Sequence, residues 1–433
     1  MTANFASSPS LTIEEVGQRF LSYYRELGYQ ELPSSSLLTD SLPMTFVMSA
    51  GMVQFELLAD QARESDRFAL IQRCFRHFDI EEAGKSEAHL SLFHMPGAFR
   101  FGKIDRRRVV EEIWRLLTDV YGFNPENMAV TYFVGGEIEN TYLPEDQATA
   151  HVWEEVGMKP HQIFGMPAES NYWRQSAHMV GIVNSRKCGP NTEVFYDRGE
   201  RYSCGANCKP GCPCGRFIEF SNTLFIEKYV DENGTLHSLD EPFTEVVIGQ
   251  ERVGMLLQKL SSVYEIETVA PLVQQVRCFS VSGMLSEMEI RHYEHIIADH
   301  LRSLIFLIKD GTPPPGRGGR ARLIRILVRE LLTAKEILGI TDPAFLRSML
   351  YVAADLYPET TSAHQRARRY IAEEEIRFQE TLRKGLERLN RQIEKGEEIG
   401  EKTALDYQKR YGIPLSLLNS HLQQKGIFIL HSR

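Results

Sequence analysis

A chain of 433 residues exceeds what one small core organises, so two domains are the first expectation. Apolar residues make up 42% of it and charged residues 25%, the balance of an ordinary water-soluble protein. The formal net charge of −9 argues against a protein that is basic throughout, as a non-specific nucleic-acid binder would be, and no apolar run reaches the roughly 20 residues of a membrane span.

The N-terminus, MTANFASSPSLTIEEV, has no basic start followed by an apolar stretch, so we expect no secretory signal and a cytoplasmic protein. The first predicted element is a helix in LTIEEVGQRFLSYYREL, where apolar side chains from Ile13 to Leu27 recur at helical spacing. Thr12 and Glu15 have the spacing of a capping box at its start.

Extended segments and then helices follow along the chain. The extended segments are TFVMSAG, RFALIQRCFR, AFRFGKI, MAVTYFVGG, TEVFYD, FIEFSNTLFIEKY and FTEVVIG. Their β-branched and aromatic residues predict a sheet with helices against it. After about residue 255 the pattern becomes helical, in MEIRHYEHIIADHLRSLIFLIKDG, RLIRILVRELLTAKEILGI and a charged segment over 362–398. We therefore predict an α+β domain over residues 1–255 and an all-helical domain over residues 256–433.

Four of the seven cysteines, Cys204, Cys208, Cys212 and Cys214, fall within eleven positions among glycines and prolines. Cytoplasmic thiols stay reduced, so such a cluster favours a metal over disulfides. Four thiolates surround Zn²⁺ tetrahedrally and leave no open coordination position, which predicts a structural site. A pair of disulfides and an iron–sulfur cluster are the weaker alternatives. We expect the other three cysteines in the core.

Several motifs in a shared order resemble the alanyl-tRNA synthetase family. From about residue 13 to 426, the matching segments are SSSLL, SAGMVQFE, QRCFRHFDIEEAG, HLSLFHMPGAFRFG, NSRKCGPNTEVFYD, FIEFSNTLFIEKY, IGQERV, IIADHLRSLIFLIKDG and DYQKRYGIPLSLL. The resemblance implies a class II synthetase fold, in which an antiparallel sheet flanked by helices forms an aminoacyl-adenylate from ATP. It makes residues 198–217 a metal-binding insertion, and the helical part is similar to the family's tRNA-recognition region.

Activation of a carboxylate by ATP needs positive charge around the triphosphate, and arginine is planar and always charged. The resemblance implies that Arg76 in RCFR holds the α-phosphate and the activated carboxylate, while Arg252 in GQER holds the γ-phosphate end. It also implies that His89 and Phe93 belong to the ATP site, with the Phe93 ring stacked on adenine. The acidic positions for ATP or its Mg²⁺ are Asp79 and Glu193.

The family's amino-acid pocket matches Trp173, Asn222 and Glu245 in this chain. The family's Asp-Thr-Gly-Met-Gly reads Glu-Val-Val-Ile-Gly here, so the carboxylate that pairs with the α-ammonium moves by about one C–C bond, ~1.5 Å. Val247 replaces a glycine and adds bulk beside the pocket. We expect a small amino acid such as alanine or glycine.

The acceptor side departs further from the family. The loop after Arg76 is about three residues shorter than in the family and lacks a lysine that lies there near ATP and the tRNA end. The family reads the G·U pair of its tRNA with an Asn and an Asp, whereas PPPGRGGRARL has no Asn and Lys409 replaces the Asp. Lysine accepts no hydrogen bond from the guanine amino group, so we expect this readout to be absent. Without H-x3-H or C-x3-H motifs, we also expect no editing domain.

Three functions therefore remain open. The chain charges a tRNA, or it performs the same activation for another acceptor (an amine, a hydroxyl, a nucleoside or a carrier protein), or it is a non-catalytic regulatory relative. Arg76, Arg252 and Phe93 argue against the third. Class II enzymes often dimerise through the region that matches residues 34–51, so the resemblance allows a homodimer.

Overall fold

The structure, a computed structural model of the chain, describes residues 11–38, 47–53, 66–175, 186–281, 285–397 and 399–427. It divides into two compact units. The first comprises Met1–Arg76 and Leu92–Glu267, and the second comprises His77–Ser91 and Thr268–Arg433. Among the described residues, every helix is too short or too polar to span a bilayer.

The first unit is built on a large sheet with helices packed against it. Its strands are β1 (Gln30–Glu31), β2 (Arg67–Phe75), β3 (Leu92–Phe101), β4 (Met128–Phe133), β5 (Gly136–Ile138), β6 (Thr141–Leu143), β7 (Ile163–Met166), β8 (Tyr172–Arg174), β9 (Arg186–Asp197), β10 (Phe217–Val230) and β11 (Leu236–Ile248). Its helices are α1 (Ile13–Glu26), α2 (Arg106–Arg115), α3 (Gln147–Glu155), α4 (Ala168–Asn171) and α5 (Gln250–Leu257).

The order of the large sheet is β1-β2-β3-β11-β10-β9-β4-β7, with β8 paired to β9, while β5 and β6 form a separate hairpin. In the described part of the chain, β1 with β2 and β4 with β7 are parallel, and the other pairs are antiparallel. The predicted α+β fold is confirmed, with two parallel pairs in a mainly antiparallel sheet. TFVMSAG lies partly outside the described residues, and its described part, residues 47–51, forms no strand.

Helix α1 begins where the sequence predicts. The Thr12 hydroxyl accepts a hydrogen bond from the Glu15 backbone N–H at 3.2 Å, and the Thr12 backbone N–H donates to Glu15 Oε2 at 2.8 Å. Two otherwise unpaired donors of the first turn are thus satisfied. The apolar face of α1 is buried through Val16, Phe20 and Tyr24 and packs on the sheet.

The second unit is helical in its described part. Its helices are α6 (Ala270–Arg277), α7 (Glu287–Lys309), α8 (Gly319–Ile337), α9 (Phe345–Leu356), α10 (Thr361–Glu394), α11 (Glu401–Tyr411) and α12 (Leu415–Gln424). The C-terminal half of α7 is buried on all sides because α8 and α10 pack against it. The chain turns away at Gly311, whose φ of +105° suits glycine alone.

Candidate active site

The strand register places the polar positions of three strands on one face of the sheet. Residues directly opposed in an antiparallel ladder point to the same face, as do residues two apart in one strand. One row across β3, β11, β10 and β9 consists of Gly97, Val247, Asn222 and Glu193. The next row consists of Phe99, Glu245, Leu224 and Asn191. The predicted amino-acid and metal positions on these strands therefore share a surface.

The two arginines lie at the same end of this sheet. Arg76 follows β2 directly, and its guanidinium carbon lies 5.1 Å from the centre of the Phe93 ring at the start of β3. The next residue, His94, donates its backbone N–H to Glu251 Oε2 at 2.9 Å, and Glu251 precedes Arg252 on α5. Two consecutive residues of β3 thus contact Arg76 and the immediate neighbour of Arg252.

Arg252 reaches over the sheet to β10. Its Nη1 donates to the Glu219 backbone carbonyl at 2.8 Å and lies 3.5 Å from Glu219 Oε2. β2, which Arg76 follows, and β10, which the Arg252 side chain reaches, are three strand spacings apart, about 14 Å laterally. An extended anion on this surface would have the guanidinium of Arg76 at one end and that of Arg252 at the other.

Glu193 lies in a partly buried polar cluster on the same face. Asn222 donates to Glu193 Oε1 at 3.2 Å, and Asn191 donates to Asn222 Oδ1 at 3.2 Å. Burial, and then the negative charge of Glu219, raise the pKa of Glu193 to about 8, although Arg252 opposes the rise. Glu219 was missed by the sequence reasoning about individual residues. Its only signal is the acidic position in FIEF, two residues into β10.

The cluster has the donors that Mg²⁺ prefers. Glu193 and Glu219 supply carboxylate oxygens, which suit a hard cation. Asn191 Oδ1 is buried and accepts no hydrogen bond from the described residues. This oxygen beside Glu193 is therefore available as a further metal ligand. Two neighbouring carboxylates that repel each other are stabilised by a divalent cation. These residues fit the Mg²⁺ that accompanies a nucleoside triphosphate.

Glu245 is the buried acid of the site, with 3% of its surface exposed. It lies on β11 between Leu224 and Phe99. Burial raises its pKa to about 8, whereas a Met52 backbone hydrogen bond and the charge of Arg76 oppose the rise. Once ionised, a carboxylate in apolar surroundings attracts a cationic partner strongly, because little water competes.

Trp173 forms an apolar wall of this region. On β8 it lies opposite Gly189, and it packs against the buried cluster that includes Phe99, Leu224 and Met52. Gly189 is required there, because a Cβ would come within 1.8 Å of the Phe225 carbonyl oxygen. The close approach of β9 and β10 at this point brings Trp173 to the edge of the sheet surface.

Asp79 and His89 belong to the other compact unit, within His77–Ser91. Asp79 begins the short turn Ile80–Glu82, and its side chain makes no capping hydrogen bond there. His89 Nδ1 lies 2.6 Å from Ser86 Oγ. The two predicted ATP contacts therefore belong to the same compact unit as the C-terminal helices.

The cysteine cluster lies between β9 and β10. The sulfurs of Cys204, Cys208 and Cys212 all lie within 4.8 Å of one another, and the sulfurs of Cys208 and Cys214 are 3.5 Å apart. A tetrahedral zinc with Zn–S bonds of about 2.3 Å requires sulfur separations of about 3.8 Å. The mutually close thiols of Cys204, Cys208 and Cys212 can therefore hold a metal ion, and Cys214 lies beside Cys208.

The base of this insertion is closed by an ion pair. Arg216 Nε and Nη2 donate to the two carboxylate oxygens of Asp197, each at 2.8 Å. Cys208 packs against the apolar cluster of Ala129, Phe195 and Phe217. Strands β9 and β10, which carry Glu193 and Asn222, are thereby joined through the insertion.

The remaining cysteines are not all core residues. Cys74 and Cys188 are buried, as expected, and burial raises the pKa of both thiols. Cys278 is exposed, because it lies just after the last turn of α6. The expectation of a core thiol was wrong at this position.

Comparisons with known proteins agree with the motif order. The family model described as tRNA synthetases class II (A) matches residues 15–432. The chain is 31% identical over 425 residues to the alanine–tRNA ligase of Dehalococcoides mccartyi, and 30% identical over 432 residues to that of Thermoanaerobacter sp.. The matches cover 96% and 97% of this chain, and 47% of each relative. The chain thus spans about half the length of these relatives.

Solved structures give weaker matches. A pyrrolysyl-tRNA synthetase from Desulfitobacterium hafniense matches with a TM-score of 0.33 and 11% identity, covering 60% of this chain and 75% of that one. The apo histidyl-tRNA synthetase of S. aureus matches with a TM-score of 0.35 and 9% identity, covering 64% of this chain and 81% of that one.

Proposed function

Because the chain belongs to the family of class II (A) tRNA synthetases, we propose that it activates a small amino acid with ATP and transfers it to a tRNA. The observation that carries the proposal is the position of buried Glu245 on the sheet face, within reach of the charge of Arg76. An α-amino acid carries an ammonium and a carboxylate on adjacent atoms. Glu245 binds the ammonium, and Arg76 directs the carboxylate towards the α-phosphate.

The first step forms an acid anhydride. A carboxylate oxygen of the amino acid attacks the α-phosphorus of ATP, the new O–P bond forms, and pyrophosphate leaves. Arg76 stabilises the charge at the α-phosphate and Arg252 stabilises the departing end, since fixed cations in a partly dry site act strongly on developing charge. The Phe93 ring supplies the stacking surface for adenine. Glu193 and Glu219 would hold the Mg²⁺ of the triphosphate, which would neutralise phosphate charge there.

The second step transfers the acyl group. A hydroxyl oxygen of the acceptor attacks the carbonyl carbon of the adenylate, AMP leaves, and the hydroxyl proton passes to the leaving phosphate or to water. Asn222 and Trp173 keep the amino acid in place during the exchange of partners, the first by hydrogen bonding and the second by apolar contact. A pocket that also contains Val247 favours alanine or a smaller side chain.

The cysteine insertion has a structural role in this proposal. Cys204, Cys208, Cys212 and Cys214 would hold a Zn²⁺ that fixes the connection between β9 and β10 and takes no part in either step. Four sulfur ligands would leave no position for substrate. The strands that carry Glu193 and Asn222 keep their register as a result.

A second candidate acceptor is a molecule other than tRNA, an amine, hydroxyl, nucleoside or carrier protein. Lys409, which is exposed on α11, favours it, because a lysine side chain has no acceptor for the guanine amino group. Transfer assays with tRNA and with such acceptors separate the two.

The proposal is tested by pyrophosphate exchange into ATP, measured for each amino acid in turn. We expect exchange with a small amino acid, and we expect Arg252→Ala to lower kcat/KM at least about 100-fold, the effect of removing a group that stabilises transition-state charge. The control is Arg107→Ala, which removes an exposed arginine paired with Glu111 and Glu155. Undiminished exchange in Arg252→Ala refutes the assignment.

A further inference from the structure

A buried polar network in the second unit has no role in the chemistry above. It joins Ser91, at the end of the segment His77–Ser91, to Asp299 and His300 on α7 and to Glu330 on α8. Asp299 and His300 are fully buried, and Ser91 is 1% exposed. Buried ionisable groups destabilise a fold unless they are paired, so this arrangement is specific.

Asp299 holds Ser91 by two hydrogen bonds. The Ser91 backbone N–H donates to Asp299 Oδ1 at 2.9 Å, and the Ser91 hydroxyl donates to Asp299 Oδ2. The hydroxyl of Ser303, one turn further along α7, lies 3.0 Å from the Ser91 hydroxyl. Main chain and side chain of Ser91 are therefore both fixed by one carboxylate.

His300 links that carboxylate to a second one. Its Nδ1 lies 3.1 Å from Asp299 Oδ2, and its Nε2 lies 2.7 Å from Glu330 Oε2. Both ring nitrogens donate only when the imidazole is protonated. Burial lowers the pKa of His300, but the hydrogen bonds and charges of Asp299 and Glu330 outweigh it and raise the pKa to about 9. Among the residues that the structure describes, the charges that act on the ring are those of buried Asp299 on α7 and of part-exposed Glu330 on α8.

A second contact holds the same segment on α7. Gly84 adopts a φ of +77°, and a Cβ there would come within 2.6 Å of the His292 carbonyl oxygen. The segment, which connects β2 to β3, is thus packed on α7 near its middle and at its end. Ser91 directly precedes β3 and stands two residues from both His89 and Phe93, so its Cα lies within about 7 Å of theirs.

We propose that Asp299 and His300 are positioning residues that fix Ser91, and through it the start of β3 with the adenine-stacking ring of Phe93. The inference deepens the proposed function, on which it rests, by adding residues that order the main chain directly before an ATP contact. Asp299 and His300 touch no substrate. They act by restricting the main chain at residue 91.

The test compares variants that remove or keep the hydroxyl of residue 91. Ser91→Ala removes the donor to Asp299, and Ser91→Thr keeps it. We expect Ser91→Ala to raise the KM for ATP about tenfold, the effect of losing a hydrogen bond to a charged acceptor, with the KM for the amino acid unchanged. Ser91→Thr should retain the wild-type value. The matched control is Glu294→Gln on α7, which removes a fully buried carboxylate paired with Arg277 and should lower stability without changing the KM for ATP.

The pH profile gives a second readout that a purely structural role does not move. As pH rises through about 9, His300 loses one of its two donors, so the wild-type KM for ATP should rise. The Ser91→Ala variant keeps only the backbone N–H bond to Asp299, so its KM for ATP should be higher and should change less with pH over the same range.

Hydrogen–deuterium exchange of a peptide over 86–95 tests positioning without any substrate. Ser91→Ala should accelerate its exchange, whereas Glu294→Gln and Ser91→Thr should not. If the wild-type chain shows no amino-acid-dependent exchange of pyrophosphate, the proposed function fails while this measurement still decides the positioning. The inference is overturned if hydrogen–deuterium exchange of the 86–95 peptide is unchanged in Ser91→Ala. It is also overturned if this exchange in Ser91→Thr differs from that of the wild type.

Discussion

Burial gives Glu245 a property that a surface carboxylate lacks. Its neighbours across the strands are apolar, so its charged form is poorly solvated until a cation arrives. Arg76 supplies a partial counter-charge from β2 but does not cancel the effect of burial, because the pKa remains near 8. Under the proposed function, the α-ammonium of an amino acid supplies the rest, and substrate binding is then linked to loss of a proton from Glu245.

This linkage predicts a pH dependence of amino-acid binding in the absence of ATP. The free pocket has a Glu245 pKa of about 8, so below that value the acid must release a proton before it pairs with the ammonium. Affinity should rise about tenfold per pH unit between pH 6 and 7.5 and level off above 8. Calorimetric titration across this range measures it.

The control for this prediction is Glu245→Gln, which keeps the shape of the side chain and cannot titrate. We expect weaker binding whose affinity is independent of pH from 6 to 9. A wild-type affinity that is equally flat would show that another group pairs with the ammonium.

The cysteine insertion connects strands β9 and β10, which both carry residues of the candidate site. Both strands contribute polar residues to one face, and their register is irregular at two points. A long connection between irregular strands leaves the register poorly specified. The Arg216 and Asp197 pair closes the connection, and a metal held by the cysteines adds a second constraint.

We predict one zinc per chain, bound by the cysteine insertion and needed for the order of the site. Cys208→Ser should lose the metal and lower both the thermal midpoint and pyrophosphate exchange, since the site residues on β9 and β10 lose a constraint. Metal content is measured by elemental analysis. Cys278→Ser, at an exposed position outside the cluster, should keep the zinc and the activity. Full activity after complete removal of metal contradicts a structural role.

The two compact units divide the proposed function at the scale of the whole molecule. The sheet unit carries Arg76, Arg252 and Glu245, while Asp79 and His89 are grouped with the helices. The helical unit contains Lys409, exposed near the end of α11. Under the proposed function, the acceptor-side residue Lys409 lies in the helical unit and Arg76, Arg252 and Glu245 lie in the sheet unit.

Lys409 predicts that the rate of transfer to tRNA does not depend on the G·U pair. Two tRNA transcripts that differ only by G·U or G·C at that position should be charged at similar rates, because lysine cannot accept from the guanine amino group. A direct reader would discriminate by more than about fivefold. Transfer rates with a preformed adenylate measure the difference. Strong preference for G·U would show that another residue reads the pair.

The order of motifs and the periodicity of apolar residues were sufficient to predict the fold and the positions of α1, β10 and α7. These features are local, because capping, alternation and helical spacing involve residues that are near in sequence. The spacing of the four clustered cysteines likewise indicated a metal site from one short stretch. Site residues taken from the resemblance remain predictions about role, although their positions on the strands are now described.

Only the tertiary structure decided which charges meet. Burial and the charge of Glu219 raise the pKa of Glu193, and Arg252 opposes the rise. Glu219 and Arg252 become its neighbours through the β9–β10 register and the packing of α5. The buried link from Ser91 to Asp299 spans 208 residues. No local pattern contains such information, because burial and pairing arise from the packing of distant segments into a dry interior, where each charge requires a partner.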